Sequence, residues 1–197
     1  MNHIVLSAIA PNATRMIRMD HRNLLSIFQR YTADAPAQTR QALADSICLA
    51  LEIHAKLEED VFYPALRELY PNSEVILKSV PEHAEMRRLI ARLRKMSAGD
   101  PGFDSVVLEL MRDLMHHIAD EETVLLPAAE RVLSGYLGEL GQRMTRRRFE
   151  LARPSVGAIA SSVVRAAPIK TLALVAAAFS IGFLLAGRGS NSRGTDR

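Results

Sequence analysis

The sequence predicts an all-α protein: an up-down-up-down four-helix bundle, then a C-terminal helical extension and a single transmembrane helix. Three observations predict it. Apolar residues recur in steps of three and four over long stretches, and strand signals are scarce. Four such stretches of about 20 residues are joined by short Pro- and Gly-containing breaks, the arrangement expected of antiparallel helix neighbours. Finally, His54-x3-Glu58-x5-Pro64 recurs as His117-x3-Glu121-x5-Pro127, so the second half of the bundle repeats the first.

The first helix is predicted from about Asn12, whose side chain can cap the free amides of a first turn, to about Tyr31. Asp34-Ala35-Pro36 breaks it. The second helix should run from about Ala37 to Leu66, with Pro64 near its end. A turn at Tyr70-Pro71-Asn72-Ser73 leads to a short turn of helix up to Val80. Pro81 suits the first turn of the third helix, which reaches about Met96 before Ser97-Ala98-Gly99-Asp100-Pro101-Gly102 stops it. The fourth should begin near Phe103 and reach Leu126, where Pro127 kinks or restarts the chain into a further helix to about Leu140. Residues 10–135 are thus expected to form the bundle, 136–169 a basic helical linker, 170–188 a transmembrane segment and 189–197 a short polar tail.

Charge divides the chain in the same place. Residues 1–140 hold 15 Lys and Arg against 20 Asp and Glu, a net of −5, whereas residues 141–197 hold 10 against 2, a net of +8. The basic pI belongs to the tail, and an acidic bundle without Trp lacks the basic surface that nucleic-acid binding requires. No nucleic-acid partner is expected. The lone Cys48 cannot form an internal disulfide and reads as a core residue. Thr171 to Gly187 is a 17-residue stretch without a charge, about 25 Å long as a helix and at the lower limit for a bilayer. Seven positive residues between Arg143 and Lys170 precede it and three follow, so the positive-inside tendency places a membrane-anchored bundle on the cytoplasmic side.

The repeated motif carries the chemistry. Residues four apart on a helix share a face, so each His-x3-Glu unit can grip one cation from one helix. Val107, Leu110, Leu114, His117, Glu121 and Val124 fall on one core-facing stripe, which turns an imidazole and a carboxylate inward. His21 falls between Ile17, Leu24 and Phe28; His54 and Glu58 fall between Ile47 and Val61; His83 is in phase with Met86, Ile90 and Leu93. A single His on an apolar stripe is ordinarily a hydrogen-bonded core residue. Four in phase, at separations of 33 and 34 residues within each half, are not so explained. A buried carboxylate without a partner costs several kcal/mol, so inward glutamates call for a cation.

The candidate ligands are His21, His54, Glu58, His83, His117 and Glu121. Six groups exceed a closed tetrahedral zinc site and suit two ions. Imidazole with carboxylate suits iron, with manganese or zinc also possible. Two ferric ions bring more charge than two glutamates cancel, so a bridging oxo or hydroxo is expected. If both glutamates bridge, about four of roughly twelve coordination positions stay open for a small ligand. His116 with Asp120 is also four apart, but it shares its face with Arg112 and Asp113 and reads as solvent-facing. Asp20, Glu59, Glu82 and Glu122 each adjoin a candidate ligand and read as solvated or supporting carboxylates.

These residues resemble the hemerythrin-like, HHE cation-binding family. The resemblance covers about residues 15–130 and rests on Asp20-His21, His54-Ala-Lys-Leu-Glu58, Glu82-His83 and His117-Ile-Ala-Asp-Glu121. It implies a four-helix bundle holding a non-haem di-iron centre that binds O2 and, in some members, nitric oxide or peroxide. The oxygen-carrying hemerythrins have His-x3-His on the third ligand helix, where this chain has Arg87 four residues after His83. Their last helix has an aspartate five residues beyond its histidine, where this chain has Glu122. The near-symmetric site looks more like the sensor or iron-handling branch. No further inward acid–base set and no glycine-rich cofactor motif is present, so binding or sensing of O2, nitric oxide or iron near the membrane ranks ahead of a di-iron oxidase or peroxidase. A metal-free helical scaffold is the remaining alternative.

Overall fold

The computed structural model describes residues 10–166, with side chains as far as Ala152. Among them there is helix and no strand. Helix α1 (Ala13–Gln29) starts where Asn12 accepts the Arg15 amide at 2.8 Å, the expected cap. Helix α2 (Ala37–Leu57) follows the break at Pro36. It opens into one wide π turn, Glu58–Phe62, and closes again as α3 (Tyr63–Leu69). Helices α4 (Glu74–Leu93) and α5 (Phe103–Asp120) form the second hairpin, and α5 opens into a matching π turn, Glu121–Leu125, before α6 (Leu126–Val132). The basic helix α7 (Leu137–Ala166) follows.

Proline accounts for the two π turns. Pro64 and Pro127 have no N–H to return to the carbonyl four residues back, and their rings clash with it. The helix widens just ahead of each, and the amides of Tyr63 and Leu126 bond instead to the carbonyls of Glu58 and Glu121, five residues back. The extra residue shifts the buried stripe by one position. Val124, expected on the stripe, is therefore 50 % exposed, and Leu125 takes its place in the core.

Pro81 does not begin the third bundle helix. Ser73 caps α4 by accepting the Ile76 amide, and the helix runs unbroken through Pro81. Leu77, whose carbonyl Pro81 cannot serve, lies with it on the exposed face, where water can reach the backbone. At the other hairpin, Gly102 takes φ +83 ahead of α5, the left-handed conformation that favours glycine.

Helix α1 packs on α2, α4 on α5, and α2 on α4, which makes the bundle. Its interior is two apolar clusters. One holds Leu24, Phe28, Ile47, Leu51, Met86 and Leu110; the other holds Ile17, Leu57, Phe62, Leu66, Ile76 and Leu125. Cys48 lies in the first, where burial pushes its thiol up to about 12. Leu137, Leu140 and Met144 of α7 join the second cluster, so the start of the basic segment is part of this packed unit.

The membrane-anchored, cytoplasmic-side placement is overturned. Among the described residues no helix is long and apolar enough to cross a membrane. The longest, α7, carries Arg143, Arg146, Arg147, Arg148 and Glu150, and charges at that density prevent burial in hydrocarbon. Arg147 is paired with Asp60 and Glu150, and Arg148 with Asp20. Thr171 to Gly187, on which the transmembrane helix was placed, lies outside the described residues.

Helix α7 reaches this position through Gly141, where a β-carbon would meet the Pro11 carbonyl oxygen at 2.1 Å. Gly141→Ala is expected to cost about 1–3 kcal/mol, because both colliding groups are backbone. Gly138→Ala, where a β-carbon meets nothing within 4 Å, should leave stability unchanged or raise it by about 0.5–1 kcal/mol. Urea denaturation of the two variants beside the parent checks the contrast.

Candidate metal centre

The two apolar clusters are separated by a layer of polar side chains. Each bundle helix contributes where its stripe passes from one cluster to the other: His21 from α1, His54 from α2, His83 from α4, His117 from α5. Glu58 and Glu121 come from the first residue of each π turn. All six are at most 1 % exposed. The structure brings every sequence-predicted candidate into this layer.

The six form two overlapping groups whose ligand atoms lie within 4.8 Å of one another. One is His54, Glu58, His83 and His117; the other is His21, His54, Glu58 and Glu121. Glu58 Oε2 lies 3.3 Å from His54 Nε2, 3.4 Å from His83 Nε2 and 3.9 Å from His117 Nε2. Glu121 Oε2 lies 3.2 Å from His21 Nε2 and 3.7 Å from His117 Nε2. The Nε2 atoms of His83 and His117 are 3.1 Å apart.

The electrostatics are those of anions and imidazoles sharing a dry space. Burial opposes ionisation of Glu58, yet His54, His117 and His83 hold its carboxyl well below the usual carboxylate range. Burial likewise pushes His21, His83 and His117 down, but the carboxylates outweigh it. His21 and His83 are raised, and His117 is pushed up to about 10. Even so, His21 Nε2, both nitrogens of His54, Glu58 Oε1 and Glu121 Oε2 have no hydrogen-bond partner. Buried polar atoms are rarely left so, and five in one layer mark a place for a cation.

The four supporting acids resolve into a ring. Glu122 meets Nδ1 of His21 at 2.9 Å, Glu59 meets Nδ1 of His83 at 3.0 Å, and Glu82 meets Nδ1 of His117 at 3.1 Å. Asp20 faces Nδ1 of His54 at 3.9 Å. Each acid adjoins a candidate ligand in sequence and serves the imidazole of a different bundle helix, so the contacts close around the layer. With its Nδ1–H directed at a carboxylate, an imidazole turns the lone pair of Nε2 inward, the tautomer a metal needs. Arg87 donates to Glu59 at 2.9 Å and so supports the ring instead of adding a ligand. His116 is exposed, and Asp120 is paired with Lys78, as the solvent-facing reading expects.

Tyr63 was not foreseen. Its hydroxyl donates to Glu121 Oε1 at 2.7 Å and lies 3.2 Å from Glu58 Oε2, while its ring stacks on His83 with centroids 5.9 Å apart. Burial and the two glutamates raise its hydroxyl well above the ordinary range, so it keeps its proton. The signal was in the repeat: Tyr63 precedes Pro64 where Leu126 precedes Pro127, a polar break in an otherwise matched pair.

The model of the hemerythrin HHE cation binding domain matches residues 12–129. A DNA nickase from Nostoc is 31% identical over 123 residues, which is 62% of this chain but only 35% of the nickase. An uncharacterized protein of Mycobacterium tuberculosis is 28% identical over 131 residues, 64% of this chain and 80% of that protein. In fold, the chain is similar to the crystal structure of a hemerythrin HHE cation binding domain-containing protein from Mycobacterium kansasii. The TM-score is 0.64 at 24% identity, over 76% of this chain and 92% of the other. With more than half of its length matched, the chain belongs to the hemerythrin HHE cation binding domain family.

Proposed function

We propose that His21, His54, Glu58, His83, His117 and Glu121 hold a non-haem di-iron centre that binds or senses O2, nitric oxide, peroxide or iron. The observation that carries this reading is the set of four buried, unpartnered ligand atoms, His21 Nε2, His54 Nε2, Glu58 Oε1 and Glu121 Oε2, in a layer where each imidazole faces a carboxylate on its far side. The two overlapping ligand groups, which together take in all six residues, support room for two ions. The mixture of imidazole and carboxylate suits iron, and manganese or zinc could be held by the same atoms. Bound iron would supply open coordination positions and a redox couple, with an oxo or hydroxo bridge balancing charge.

The chain's own residues define what can happen there. Carboxylates of the ring hydrogen-bond Nδ1 of His21, His83 and His117 and so set their tautomers, the two apolar clusters keep bulk water from the layer, and Tyr63 holds a proton between the two glutamates. The nickase relative brings no DNA reading with it, since the shared region covers a minor part of that protein and the first 140 residues here carry a net negative charge.

Full-length chain expressed with iron is expected to carry two irons and near-ultraviolet bands that respond to dithionite, O2 and nitric oxide. Metal analysis with absorption spectroscopy checks this. No metal, or one inert zinc, would leave a helical scaffold, and turnover of peroxide or O2 with a reductant would make the chain an oxidase or peroxidase.

The metal-free chain should also show a distinctive pH dependence. Histidines raised above their ordinary 6.5 contribute stability that is complete below that value and is lost as pH rises, through about 10 for His117. Glu58, lowered from 4.5, contributes stability present above that value and lost as pH falls. Stripped protein should therefore melt at falling temperature from pH 7 to 10. Iron-loaded protein, its ligand imidazoles already deprotonated, should not show that decline.

A further inference from the structure

Each carboxylate of the ring is itself faced by a cation. Arg18 bonds Glu122 at 3.1 Å, Arg87 bonds Glu59 at 2.9 Å, and Lys78 lies 3.4 Å from Glu82. These three sit on α1 and α4, within the residues matched by the family model. The fourth does not. Asp20 is held by Arg148 of α7, beyond residue 129, through a two-pronged contact of Nη1 to Oδ1 at 2.8 Å and Nη2 to Oδ2 at 2.5 Å. Both carboxylate oxygens are engaged, which fixes the plane of the group as well as its charge. Asp20 is only 14 % exposed, so water cannot replace the guanidinium fully.

The imidazole that Asp20 serves is the one with most to lose. His54 belongs to both ligand groups, and it is the histidine whose two nitrogens both lack a hydrogen bond. Its Nδ1 lies 3.9 Å from Asp20 Oδ2, longer than a hydrogen bond, and that carboxylate is the group facing it. Arg148 is itself held in place, because Leu137, Leu140 and Met144 anchor the start of α7 in the apolar core and Gly141 seats it against Pro11 and Asn12.

We propose that helix α7 is a working part of the metal centre, with Arg148 as the positioning residue that fixes the Asp20 carboxylate facing Nδ1 of His54. The inference rests on the metal-centre reading. Without Arg148 the carboxylate loses its counter-charge and its fixed plane and turns toward solvent. His54 then loses the carboxylate that faces its far side, and the ion that its Nε2 serves is held less firmly. Metal retention thereby depends on the Arg148–Asp20 contact itself.

The test uses the full-length, iron-loaded chain, reduced and challenged with excess ferrous chelator. Arg148→Ala is expected to release iron about tenfold faster than the parent, the scale on which supporting partners of metal ligands act. Asp20→Asn should match it, and the double variant should be no faster than either single change. Arg147→Ala is the control, since Arg147 pairs with Asp60 and Glu150 and neither faces an imidazole; it should release iron like the parent. If Arg148→Ala does not fold, Arg148→Lys keeps the charge without the fork and should still release iron severalfold faster. Parental release from the Arg148 variants would overturn the inference, as would equal acceleration by Arg147→Ala, which would reduce the effect to helix docking. A parent chain that takes up no metal would instead overturn the metal-centre reading beneath it.

Discussion

Two glutamates with no exposed surface, surrounded by four equally buried imidazoles, are the constraint on which the rest of the molecule depends. An ionised carboxylate in such a place costs several kcal/mol unless it is paired. The chain spends a whole cross-section of its core on this layer, and an apolar core is divided in two to accommodate it. A fold selected for stability alone would fill that section with leucine. The layer therefore implies a resident cation, and the features around it follow from the need to hold ligands at fixed distances in a dry space.

Backbone and side chains serve that need in different ways. Each proline forces a π turn whose first residue is the glutamate, so the carboxylate projects where an ordinary helix would have carried on its stripe. Wide turns of this kind concentrate at functional sites because they redirect a side chain at the cost of regular hydrogen bonding. The side chains then form layers of alternating charge: imidazole, carboxylate, cation. Symmetry between the halves is close but incomplete. Tyr63 adds a hydroxyl at the position where the second copy of the repeat has Leu126, so the two halves differ in polarity.

Much of this was legible in the sequence, for identifiable reasons. Four-residue spacing survives folding, so the six inward-facing candidates and the helices that carry them could be read from periodicity. The roles of Asp20, Glu59, Glu82 and Glu122 could not. A residue beside an inward ligand points sideways, and whether it meets solvent or the neighbouring helix depends on bundle packing. The π turns broke the assumed period, which put Val124 on the wrong side of the surface. Pro81 was misplaced because proline favours a first turn, while Ser73 already supplied the cap eight residues earlier. The composition shift at residue 141 marked a tail, yet the charges in its first half do internal work at Asp20 and Asp60, and the membrane placement did not survive.

The proposed centre puts two irons inside the polar layer, among these six side chains. Anomalous diffraction from crystals of the iron-loaded, full-length chain, recorded on both sides of the iron absorption edge, tests it most directly. The account predicts two edge-dependent peaks in the layer, one within the group of His54, Glu58, His83 and His117 and one within the group of His21, His54, Glu58 and Glu121. A layer with no such peak in iron-loaded crystals, or iron bound only at the protein surface, would contradict it.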